Sequence, residues 1–211
     1  MKHERCHLFF AAALGCLLLA VAPSAPAQAA APAATPQAAA AAPTSGYRAE
    51  ALRIIEDAET KLVHLAEAIP AEKYTWRPGE GVRSISELFL HVSAGNFNIP
   101  RRIGTPPPDG LNLAALEKST TDKAKVIQTL KDSFANVHKA VNNLTDADAE
   151  KTAPWLGNRQ ATYREILFFL ATHDHEHLGQ SIAYARMNGI VPPWTEEQQQ
   201  RQRQQQPPKS Q

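Results

Sequence analysis

The chain has 211 residues, a formal charge of +1, two cysteines and eight histidines. Its 22 basic and 21 acidic residues nearly balance and form no basic stripe, which sets aside nucleic acid and anionic membrane surfaces as partners. Both cysteines, Cys6 and Cys16, lie in the opening segment, so the remainder has no disulfide, no thiolate nucleophile and no thiolate zinc site to offer.

Residues 1–27 read as a signal peptide. Lys2 and Arg5 precede an apolar run from Leu8 to Ala22, and Ala25-Pro26-Ala27 offers a cleavage site. The run is shorter than the ~20 residues a spanning helix needs, so the expected product is an exported protein, periplasmic or secreted, with no membrane insertion after cleavage. Residues 28–45 are almost only Ala, Pro, Gln, Thr and Ser and are expected to be a disordered linker. The folded domain is expected over residues 46–195, followed by a disordered Gln-rich tail over 196–211.

Within that domain the apolar spacing is helical. Ala51, Ile55, Ala58, Leu62, Leu65 and Ile69 define a first helix that stops at Pro70, with Thr44 or Ser45 as its cap. A second opens at Ser84-Ile85-Ser86-Glu87, a capping-box sequence, and closes at Pro100. Val126, Leu130, Phe134, Val137, Val141 and Leu144 carry a third from about Thr121. The fourth starts with the capping-box sequence at Thr162 to Glu165 and stops at Gly189. No strand-like alternation is visible. The predicted class is all-α, a four-helix bundle of up-down helices with one longer connection.

The chemistry concentrates in His173-Asp174-His175-Glu176-His177 of the fourth helix. At ~100° per residue, His173 and His177 share a face while His175 points to nearly the opposite side. Their face continues through Ile166, Phe169, Leu170 and Tyr184, so it is expected to look into the core, where two imidazoles need a partner for their lone pairs. A divalent metal supplies one. A strand reading that would align all three histidines conflicts with the cap, the helical spacing and the glycine stop. For a third ligand, His91 shares a face with Leu88, His64 lies roughly 200° from Leu62, and His138 sits at the edge of its helix's apolar stripe, so His91 fits best. Three histidines leave an open position for water or substrate, as in catalytic zinc sites, although imidazole ligands also suit nickel, copper and iron. Glu176 and Glu87 are the candidate catalytic residues, to orient a ligand or accept a proton, and Asp174 and His175 are expected at the surface. His173-x-x-Glu176-His177 also has the form of an inverted zinc-peptidase motif, but the chain is short for such enzymes.

Taken together, Tyr74-Thr75-Trp76-Arg77-Pro78, Ser84 to His91, and His173 to Gln180 resemble the DinB/YfiT-like superfamily of metalloenzymes over about residues 47 to 193. The resemblance implies a four-helix bundle, often a homodimer, in which His91, His173 and His177 bind zinc, nickel or a similar ion. Leu178 stands where the family usually has Arg. Some relatives are similar to thiol transferases and isomerases that use bacillithiol or mycothiol, cytosolic cofactors an exported chain would not meet. The expected function is therefore a metal-dependent hydrolase or transferase acting on an unknown small molecule. The alternative is a non-catalytic, metal-stabilised binding or stress-related module.

Overall fold

A computed structural model describes residues 42–205. The signal peptide at 1–27, the linker up to residue 41 and the last residues, 206–211, lie outside the described residues.

The apolar periods of the sequence become four long helices. In α1 (Gly46–Ala68), Ala51, Ile55, Ala58, Leu62 and Leu65 are buried, and the chain leaves the helix at Ile69, before Pro70. Ser45 is the N-cap, but its side chain makes no capping hydrogen bond. α2 (Ile85–Asn98) starts with a complete capping box: the Glu87 amide donates to Ser84 Oγ at 3.2 Å, and the Ser84 amide donates to Glu87 Oε2 at 2.7 Å. A single 3-10 turn, Pro100–Ile103, follows. A short helix, α3 (Leu113–Leu116), precedes α4 (Lys123–Asn143), whose buried Val126, Leu130, Phe134, Val137 and Val141 are those the period selects.

Two three-residue strands, β1 (Thr152–Pro154) and β2 (Gln160–Thr162), then pair antiparallel as a hairpin absent from the sequence reading. Each contributes one buried residue, Ala153 and Ala161, too little for an alternating signal. α5 (Tyr163–Met187) opens with half a capping box: Thr162 accepts from the Glu165 amide, while the Glu165 carboxylate pairs with Arg159 at 2.6 Å instead of reaching back. Gly189 stops it in the left-handed region at φ 74°.

α1 packs against α4 and α5, and α2 packs against the same two, so α1 and α2 occupy one diagonal of a square and α4 and α5 the other. Successive helices that lie across a diagonal need reach. The connections 69–84, 99–122 and 144–162 are all long, where the sequence reading expected one. The tail also differs from expectation: α6 (Pro193–Gln205) is helical, and none of its residues is buried. Pro193 at its first turn, a run of Gln, Glu and Arg, and Glu197 paired with Arg201 at 3.8 Å suit a solvated helix. No described helix is long and apolar enough to cross a membrane.

His138 is half-buried on α4 and meets Glu59 of α1 at 2.7 Å, with Glu56 at 4.0 Å. The Glu59 hydrogen bond outweighs burial and raises the imidazole above its ordinary 6.5. A raised folded-state value means the pair stabilises fully below the unfolded value near 6.5 and loses its contribution as pH rises through the folded one. Urea titrations of the protein and of Glu59→Gln should therefore differ most in mild acid, by up to about 1 kcal/mol, and converge in alkali. A difference that grows with pH would contradict this.

Candidate metal centre

His91 lies in the second turn of α2, and His173 and His177 lie one turn apart in the middle of α5, which packs against α2. Their ring centroids are 5.4 Å (His91–His173), 4.6 Å (His91–His177) and 4.6 Å (His173–His177) apart. One nitrogen from each lies within 4.8 Å of the other two. Two imidazole nitrogens on one tetrahedral ion are about 3.3 Å apart, a short rotamer adjustment from that upper bound.

Second partners select the nitrogens that face inward. The carboxylate of Glu117 can only accept, so His91 Nδ1–H donates to Glu117 Oε1 at 2.5 Å and leaves Nε2 free. Glu117 is itself held by Arg83, whose Nε donates to Oε2 at 2.9 Å. Gln180 Oε1 accepts from His177 Nδ1 at 3.0 Å while Gln180 Nε2 donates to the Tyr184 hydroxyl at 3.0 Å, which fixes both the amide and the imidazole. Trp76 meets the Tyr184 ring edge-on at 5.5 Å, and the Trp76 carbonyl accepts from the Ile85 amide. The Trp76-Arg77-Pro78 turn thus braces both the start of α2 and the His177 arm. His173 Nδ1 is buried without a hydrogen-bond partner among the described residues.

Electrostatics favour ligand imidazoles. Burial holds His91 and His177 below the ordinary value, against the hydrogen bonds they donate to Glu117 and Gln180, which pull the other way, so both stay neutral with a lone pair to give. Burial works to raise Glu117, but Arg83 and His91 outweigh it and keep the carboxylate below its usual range. Three imidazoles, two with their Nδ1 engaged by an acceptor and the third with an orphaned nitrogen, are a donor set that fits a divalent ion.

The other sequence candidates fall elsewhere. Glu87 is taken up by the capping box and by Arg77 at 3.1 Å, and Ser84 holds its carboxyl low. Glu176 is exposed on the opposite side of α5 from the bundle. Neither lines the cavity described below. His64 is exposed, and His138 pairs with Glu59. His175 meets Asp57 of α1 at 3.5 Å and the Ala171 carbonyl. Asp174 corrects the surface expectation. It is fully buried, neither carboxylate oxygen has a hydrogen bond, and burial pushes it up to about 6. The histidine face also differs from a sealed core, since Phe169, one turn before His173, is 37 % exposed and its ring stacks over the His173 ring at 6.4 Å.

The reason for that exposure is a cavity of about 540 Å³ lined by His91, His173, Gly95, Glu117, Trp155 and Phe169 among others. Gly95, one turn after His91, is the least visible member of the site. An ideal Cβ there would stand 2.4 Å from His173 Cε1, so the ring occupies space that any other residue would fill. Glu117 and Gly95 escaped the sequence reading. One follows a four-residue helix with no period of its own, and the other looks like an ordinary helix glycine.

A helix bundle whose α2 and α5 bring three histidines together beside an open cavity defines a class of protein with side chains positioned to bind a metal ion. The chain belongs to the DinB superfamily, whose family model matches residues 54–181, more than half of its length. Solved structures share the fold. A DinB-like protein of Bacillus cereus aligns with a TM-score of 0.60 at 15% identity, over 68% of this chain and 93% of that one. A DinB-like protein of Bacillus subtilis gives 0.54 at 21% identity, over 67% and 93%. An uncharacterised protein of Escherichia coli gives 0.53 at 19% identity, over 68% and 95%. No curated protein matches the chain.

Proposed function

We propose that this DinB-superfamily chain is an exported metal-dependent hydrolase or transferase, acting on a small molecule, in which His91, His173 and His177 hold a divalent ion, zinc or nickel. The observation that carries this reading is the cavity against His91 and His173, because an ion serving only to staple helices needs no access from outside. Such an ion supplies Lewis acidity, polarising an oxygen of the substrate and lowering the pKa of bound water toward neutrality.

The protein's share is positioning. Arg83 sets Glu117, Glu117 sets the His91 ring, and Tyr184 sets Gln180, which sets His177. Among the described residues, Glu117 is the one carboxylate lining the cavity. Held low and bonded on both oxygens, it stays ionised at neutral pH and serves to orient the imidazole and balance charge. Trp155, Leu156 and Phe169 present an apolar wall that limits water at the reacting group. The opening with Lys2, Arg5 and Leu8 to Ala22 supports export, and pairing as a homodimer is part of the same reading.

The test uses cobalt-loaded protein titrated with azide. An open position gives a change in the visible spectrum at millimolar azide, with circular dichroism unchanged, and a panel of small esters and amides should then show turnover that chelation removes. A cobalt spectrum indifferent to azide, in a protein that unfolds when the ion is chelated, would instead establish the non-catalytic, metal-stabilised module.

A further inference from the structure

The cavity beside the histidines is lined by two unlike kinds of residue. Leu113, Trp155, Leu156 and Phe169 are apolar, and the Trp155 and Phe169 rings meet edge-on at 5.1 Å. Leu156 is 64 % exposed and Phe169 37 % exposed, so two of the most exposed large apolar side chains among the described residues face the same space. The lining also carries Arg101 and Arg102, from the 3-10 turn that Pro100 starts at the end of α2.

Both arginines are exposed, and among the described residues neither guanidinium has a hydrogen-bond or ion-pair partner, whereas Arg77, Arg83, Arg159 and Arg164 each hold a carboxylate. The one acidic group in the lining, Glu117, is already bonded to Arg83 and His91 and does not neutralise them. A chamber that combines apolar side chains, uncompensated guanidinium groups and two of the three clustered histidines suits an amphipathic molecule. Its volume of about 540 Å³ is that of a site for a small organic molecule. Guanidinium forks favour carboxylates in two-point contact, and aromatic faces favour flat or branched hydrocarbon.

We propose that the substrate is an amphipathic organic acid, whose carboxylate is received by Arg101 and Arg102 while its apolar body lies against Trp155 and Phe169. The end directed at His91 and His173 is the one that reacts. This deepens the metal-enzyme reading and rests on it only for that last statement, since the arginine and aromatic contacts need no ion.

The experiment is therefore done in metal-free protein kept in chelator, by calorimetric titration with phenylbutyrate and with its uncharged amide, phenylbutyramide. The acid should bind about tenfold more tightly than the amide, the ratio expected from two partly screened charge-assisted contacts, and the ratio should shrink in high salt. Arg101→Gln with Arg102→Gln should bring the acid down to the amide, leaving the amide unchanged, and Trp155→Ala should weaken both alike. Equal binding of acid and amide by the parent protein, or no binding of either, overturns the proposal. So does acid binding that survives the double variant, or that needs the ion. Failure of the metal reading has its own readout, the metal content of the untreated protein, and leaves these titrations unaffected.

Discussion

Alanine in place of His91, His173 or His177 lowers metal affinity by more than about 100-fold in each case, while the metal-free bundle stays folded. The size follows from the geometry. Each ring is one of three whose nitrogens already lie within 4.8 Å of each other, and residues that merely orient a metal ligand are worth about 10–100-fold, so a ligand itself is worth more. Folding is spared because His91 and His173 flank the cavity, with 23 % of the His91 side chain and 13 % of the His173 side chain still exposed. Truncation there removes little packed surface, and at each position it relieves the crowding of three neighbouring imidazoles. A graded version isolates the orienting arm. Glu117→Gln keeps an acceptor for His91 but loses the charge, and it should weaken binding by about 10–100-fold without abolishing it. Equilibrium dialysis with elemental analysis measures both, and full stoichiometric metal in the three alanine variants would refute the site.

Gly95→Ala should damage the site from a residue that carries no ligand atom. Its backbone is ordinary helix, so conformational freedom is not the reason for glycine there. The reason is the 2.4 Å between a Cβ at this position and His173 Cε1, with His173 Nδ1 and Nε2 at 3.0 and 3.1 Å. Alanine improves helix propensity by about 1 kcal/mol, whereas forcing atoms into a packed contact costs about 1–3 kcal/mol, so the net effect on stability is a loss of about 2 kcal/mol at most. The effect on metal is larger. The His173 ring has to turn away from α2, and affinity should fall by at least about tenfold. Gly179→Ala on α5, two residues beyond His177, is the control. Nothing lies within 4 Å of its Cβ, so it should gain about 0.5–1 kcal/mol and leave metal binding intact. Thermal melts of the metal-free forms beside metal titrations separate the two effects, and indistinguishable behaviour of the two variants would remove Gly95 from the site.

Much of this was legible along the chain because a helix writes its partners at short range. Ser84 and Glu87 cap α2 three residues apart, and His173 and His177 meet across one turn. Leu62 and Leu65, or Phe134 and Val137, mark the buried stripe by period alone. His91 was reached from the face it shares with Leu88. The errors lie where the partner is far off or the segment is short. Glu117 joins His91 across 26 residues, from the end of a helix of four. The hairpin at 152–162 brings Trp155 and Leu156 to the cavity through strands that bury one alanine each. Asp174 has the composition of a surface residue, yet its helix turns it inward between two neighbours.

Sequence alone therefore determined the helical class, the ends of the long helices, the two-histidine face and the choice of His91, since each depends on spacings of three to four residues that one rigid helix imposes. Only the tertiary structure decided the diagonal arrangement of the helices, the Arg83–Glu117 support of His91, the close approach of His173 to Gly95 and the mixed apolar and basic lining of the cavity. These depend on which surfaces meet when long connections close, and no local period encodes that.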